Sequence, residues 1–91
     1  MTTNDMTTWK EQILNEMKNV GETFQDVVSC TLTDKQLLKR FDSSFGSSQG
    51  LAFTLWTSNR VYFPAVYDGA EWVESVSRNP DGKPTQHVGG E

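Results

Sequence analysis

Apolar residues recur at helical spacing in the first half of the chain and crowd at strand spacing in the second. In "WKEQILNEMKNV", Trp9, Ile13, Met17 and Val20 fall on one helical face with Leu14 beside them, and Thr8 and Glu11 have the spacing of a capping box. Gly21 follows as a natural C-terminal stop, so the pattern predicts a helix over 9–20 whose Lys10, Glu11, Glu16 and Lys18 face water. A second capping box, Thr33 with Gln36, opens "TDKQLLKRFD". Asp34 suits the positive end of a helix, Lys39 and Arg40 suit its last turn, and Leu37, Leu38 and Phe41 form its buried stripe. Between them "GETFQDVVSCTL" reads as extended or loop, with Val28, Cys30 and Leu32 on one side; a short helix begun near Thr23 is the alternative. Residues 42–50, "DSSFGSSQG", read as a Ser- and Gly-rich loop with Phe45 as a pin.

From residue 51 the period becomes two. "LAFTLWT" and "RVYFPAVY" flank Ser58-Asn59, and "AVY" and "AEWVESV" flank Asp68-Gly69, a pair suited to the positive φ angles of a two-residue hairpin turn. These segments predict a three-stranded antiparallel meander, with a four-stranded sheet as the alternative. Two-residue turns set Trp56 opposite Val61, Thr54 opposite Phe63, Ala65 opposite Trp72 and Val61 opposite Val76. One face then carries Trp56, Val61, Phe63, Trp72 and Val76, and the other Leu51, Phe53, Leu55, Tyr62, Val66 and Val73. Pro64 lacks the N–H that a central strand uses, so a bulge or an early end to the pairing is expected there.

Antiparallel sheets in small proteins bury one face and wet the other, and here both faces are apolar. Two short helices offer Trp9, Ile13, Met17, Leu37 and Phe41 to cover one of them. The 91 residues hold too little further apolar material to cover both unless "GETFQDVVSCTL" folds across the second. The expected architecture is therefore an α+β domain over 9–78, with two N-terminal helices packed on the meander. Flexible ends are expected at 1–8 and at 79–91, where "NPDGKPTQHVGGE" is rich in Pro and Gly.

Charge and chemistry narrow the function. A net charge of −4 with eight dispersed Lys and Arg residues disfavours a phosphate-backbone binder. The single Cys30 forms no internal disulfide, and no apolar run is long enough to span a bilayer, so a reducing cytoplasm is expected. Cys30 and His87 are the only thiol and the only imidazole, and His87 lies in the Pro- and Gly-rich tail, where no base would be held rigidly. One His and one Cys make no zinc site. Glu71 and Glu74, three apart on a strand, diverge to opposite faces. "GSSQG" has no Lys and no following helix to cradle a phosphate. The sequence therefore points to a non-enzyme without metal or cofactor.

The segment "FTLWTSNRVYFPAVYDGAEWVESVSRNP", with the trailing "HVGG", resembles the C-terminal half of small orphan accessory proteins of tailed bacteriophages and other mobile elements. That resemblance covers about the second half of the chain and implies an accessory protein inside a bacterial host, of the kind that binds and blocks a host enzyme or defence complex. The residues point to protein binding through the aromatic sheet. The candidate contacts are Trp56, Tyr62, Tyr67 and Trp72, with Arg60, Asp68, Glu71 and Glu74 as the charged groups around them. Two other classes use the same surface: a single-stranded nucleic-acid or nucleotide binder that stacks bases on the aromatics, and a homo-oligomer in which two sheet faces bury each other.

Overall fold

Residues 6–42 and 50–88 are described by the computed structural model; Phe45, and with it most of the 42–50 segment, lies outside the described residues, as do residues 1–5 and 89–91. The chain runs β1 (Met6–Thr8), α1 (Trp9–Val20), a 3₁₀ turn (Phe24–Asp26), β2 (Val27–Cys30), α2 (Asp34–Leu37), β3 (Arg40–Asp42), β4 (Leu55–Thr57), β5 (Arg60–Tyr67) and β6 (Ala70–Ser77). It is an α+β fold with one long helix and two antiparallel sheets, β1-β3 and β2-β4-β5-β6.

Helix α1 starts and stops where its side chains dictate. Thr8 Oγ1 accepts the Glu11 N–H at 3.1 Å while the Glu11 carboxylate accepts the Thr8 N–H at 3.3 Å, so first-turn donors are satisfied reciprocally. Gly21 ends the helix in the left-handed region at φ 80°, where a side chain would be strained. The buried stripe is Trp9, Ile13 and Met17, at i, i+4 and i+8.

The second helix is shorter than its sequence pattern. The Thr33–Gln36 capping box forms, yet α2 is a single turn, Asp34–Leu37. Leu38 is left 58% exposed, and Phe41 is buried as a strand residue in β3, paired with Thr7 of β1. Its ring centroid lies 4.7 Å from that of Trp9. A cap fixes only the first turn, and the burial gained by Phe41 against Trp9 outweighs the propensity to continue.

The segment 21–32 combines both of its sequence readings. Thr23 caps the 3₁₀ turn, whose Phe24 ring sits 4.9 Å beneath Lys10 Nζ, and the chain then extends as β2. It adds a fourth strand at the edge beside β4 and does not fold across the second face. The pairing shifts between Val27 and Ser29, which breaks the expected alignment of Val28, Cys30 and Leu32. Cys30 and Leu32 pack on the core while Val28 is 61% exposed.

The long hairpin keeps the expected register, with Val61 opposite Val76 and Ala65 opposite Trp72. Asp68 and Gly69 take φ of 52° and 85°, as a type I′ turn requires. Trp56 faces Val61, but the expected Thr54–Phe63 pair is not made: the pairing of β4 with β5 ends at Leu55–Tyr62, and the Thr54 N–H and carbonyl both bond Thr31 on the β2 side, at 3.0 Å each. That departure explains Pro64, which stays in unbroken register opposite Val73 without a bulge. Counting outward from the closing Tyr67–Ala70 pair, the backbone of residue 64 points away from β6, toward a position that β4 has already left. No ladder bond is lost there.

Trp9, Ile13 and Met17 of α1, with Leu37 and Phe41, form one buried cluster with Phe53, Leu55, Tyr62 and Val73 of the sheet. All five expected covering residues do cover, and they cover a single face. Leu51 and Val66, expected on that face, remain 41% and 40% exposed at its margin.

The uncovered sheet face as a candidate binding surface

Strand alternation assigns every side chain of the hairpin to a face. On the side away from α1, β4 contributes Trp56; β5 contributes Val61, Phe63, Ala65 and Tyr67; and β6 contributes Ala70, Trp72, Glu74 and Val76. Trp56, Val61, Phe63, Trp72 and Val76 are each half-buried, Tyr67 is 53% exposed, and Ala65, opposite Trp72, is 7% exposed. No helix of the described residues packs over them. The result is a continuous aromatic and aliphatic surface two to three strands wide.

Glu74 sits within this surface, directly across from Phe63. One of its carboxylate oxygens accepts the Trp72 indole N–H at 2.7 Å, a bond between neighbours two apart on the same strand face. It is the only charged side chain that the four strands present on this side among the described residues. Its second oxygen has no hydrogen-bond or ion-pair partner among them.

The remaining candidates lie elsewhere. Tyr62 has no accessible surface and belongs to the core on the helix side. Its hydroxyl donates to a Glu22 carboxylate oxygen at 2.5 Å, and Thr57 Oγ1 donates to the same carboxylate at 3.0 and 3.1 Å. Burial first, then the Glu22 hydrogen bond and charge, push the Tyr62 hydroxyl well above the ordinary tyrosine range. Glu71 is 7% exposed, and its carboxylate accepts the Gly50 N–H at 3.1 Å. Arg60 lies across the helix side, donating from Nε to Ser75 Oγ at 2.8 Å and from Nη2 to Ser75 O at 3.1 Å. Asp68 occupies its turn. Glu71 and Glu74 diverge to opposite faces, as their spacing requires. Of the eight candidates, the structure gathers Trp56, Tyr67, Trp72 and Glu74 on one surface and takes Tyr62, Arg60 and Glu71 to the other side.

Phe63, Val61 and Val76 complete the surface. Their place on this face was legible in the hairpin register, but they carry no polar group that singles them out by type. Glu22, which organises the polar cluster under α1, follows the helix stop, and no sequence signal marked it.

Other concavities offer less. The cleft between the end of β6 and residues 79–85 is flanked by Arg60 and Arg78, and both guanidinium groups already hold backbone, Arg78 donating from Nη1 to Thr57 O at 2.8 Å. Cys30 is half-buried, with its Sγ accepting the Leu32 N–H at 3.5 Å, and His87 is exposed in the tail. Among the described residues no group of three or more His, Cys, Asp or Glu could hold a metal ion, and no helix is long and apolar enough to cross a membrane. No protein-family model, curated protein or solved structure matches the chain, so the geometry of the uncovered face carries the functional argument.

Proposed function

We propose that this protein is a binding module whose partner is another protein, seated on the uncovered face of the four-stranded sheet. The observation that carries this reading is the inequality of the two faces. One is closed by α1, and the other leaves Trp56, Phe63, Trp72, Val61 and Val76 without a covering element among the described residues. Contiguous apolar surface of this kind marks interaction sites on small domains, and Trp and Tyr dominate the energetics of such contacts. Among the described residues the strands present no Lys or Arg and one carboxylate on this face, which is the wrong charge for a nucleic-acid platform. The resemblance to phage accessory proteins makes a host enzyme or defence complex the first partner class to test, with inhibition as the consequence.

The test is affinity capture from a bacterial host with three baits: the parent protein, Phe63→Ala, and Val66→Ala, a truncation on the helix side of the sheet. Partners retained by the parent and by Val66→Ala, and lost with Phe63→Ala, support the reading. Oligonucleotide binding at physiological salt, abolished by the same Phe63→Ala change, overturns it. A concentration-dependent dimer that Phe63→Ala dissolves would assign the face to a second copy instead.

A further inference from the structure

The position of Glu74 specifies what kind of partner group the face accepts, and the inference rests on the face being a protein-docking surface. A lone carboxylate amid aromatic rings is a costly arrangement unless something compensates its charge as the face is covered. Here the Trp72 indole N–H binds one oxygen at 2.7 Å, which fixes the carboxylate's orientation and leaves the other oxygen without a partner among the described residues. Phe63 stands directly opposite on β5, and Trp56 lies on the next strand, opposite Val61. A cation entering beside Glu74 would meet a carboxylate flanked by aromatic side chains. An uncharged group would leave the carboxylate desolvated and unpaired, and an anion would be repelled.

We propose that the uncovered face docks a protein segment that inserts a Lys or Arg side chain between Phe63 and Trp72, with its charged head on the free oxygen of Glu74 and its aliphatic stem along the rings. Both halves of such a side chain are served: the methylenes lie on apolar surface and the head is paired. Charge complementarity extends beyond the contact, because the whole chain carries a net charge of −4 and attracts basic partners at low salt. Arg is the better fit, since its planar guanidinium both stacks on an aromatic ring and bonds a carboxylate.

The experiment follows the Trp72 indole and the Phe63 and Val76 amide resonances by NMR. The parent protein is titrated with N-acetyl-arginine amide, N-acetyl-lysine amide and, as an uncharged counterpart, N-acetyl-norleucine amide. The two cations should bind about five- to tenfold more tightly than norleucine, and that preference should fall to parity in Glu74→Gln, which keeps an acceptor for the Trp72 N–H. Equal affinity for the cationic and neutral probes in the parent, or a cation preference that survives Glu74→Gln, overturns the proposal. If norleucine binds and cations gain nothing, the face still docks apolar groups and only the charge assignment fails. If no probe moves these resonances, the cation pocket is rejected, and the capture experiment decides the docking surface separately.

Discussion

The two faces of the four-stranded sheet are built from similar apolar residues and have different fates. The helix side carries Phe53, Leu55, Tyr62 and Val73 beneath Trp9, Ile13 and Met17. The opposite side carries Trp56, Val61, Phe63, Trp72 and Val76 beneath nothing that the described residues supply. Their polar groups show the difference more sharply than their apolar ones. On the covered side several polar groups are answered from segments far away in the chain: Tyr62 and Thr57 by Glu22 after α1, Glu71 by the Gly50 amide, and Ser75 Oγ by Glu16 at 2.7 Å. On the open side the one side-chain-to-side-chain bond that the strands make among the described residues, Trp72 to Glu74, is internal to the face. A surface whose polar groups are satisfied by distant segments is part of the fold. One that satisfies a single group locally and leaves an oxygen free is equipped to meet something else.

Truncation should separate the faces most strongly. Leu55→Ala or Ile13→Ala should lower the unfolding free energy by about 2–5 kcal/mol, whereas Val61→Ala or Trp56→Ala should cost about 1 kcal/mol or less, as followed by urea denaturation. Equal losses on both faces would mean that the open face is packed in solution and would end the comparison.

The loop that closes the covered side gives the next effect. A Cβ at Gly50 would lie 2.5 Å from Trp9 Cζ2, and Trp9 Nε1 donates to Leu51 O at 2.9 Å, so the loop and the ring fit only without a side chain. Gly50→Ala should therefore destabilise the protein by about 1–3 kcal/mol in thermal melts. A variant as stable as the parent would show that the covered face is closed less tightly than the structure describes.

Tyr62 tests the polar closure through pH. Tyr62→Phe removes its bond to Glu22 and should cost about 1–2 kcal/mol near neutrality. Because the folded-state pKa of Tyr62 is raised above the unfolded value of 10.0, its contribution is complete below pH 10 and is lost as pH rises through the folded value. The stability difference between the parent and Tyr62→Phe should stay constant up to about pH 10 and shrink above it. A difference that grows with alkaline pH would contradict the buried Tyr62–Glu22 contact. The smallest expected effect is on the open side, where Glu74→Gln should change stability by about 0.5 kcal/mol or less in the same urea titrations. A larger loss would give Glu74 a structural role and weaken its assignment to a partner.

Local rules carried much of this fold. The Thr8–Glu11 box and Gly21 bound α1, Asp68-Gly69 sets the turn, and the period-two pattern places Trp56, Val61 and Trp72 against Tyr62 and Val73 on the correct relative sides. Each of these depends on residues within a few positions, or on a register fixed by a two-residue turn. Phe41 was misplaced in a helix because nothing near it reveals that β1 pairs beside it and Trp9 waits across the gap. Tyr62 and Trp56 carry equal promise as exposed aromatics when read by type alone. Only the side on which α1 lands buries one and leaves the other at the surface. The same holds for Glu71 and Glu74, whose divergence follows from strand alternation while their fates depend on whether the Gly50 loop arrives. The sequence by itself determined two apolar faces and which residues share each. The tertiary structure decided which face is core, because that choice depends on contacts between segments far apart in the chain, and no local pattern encodes where a helix comes to rest.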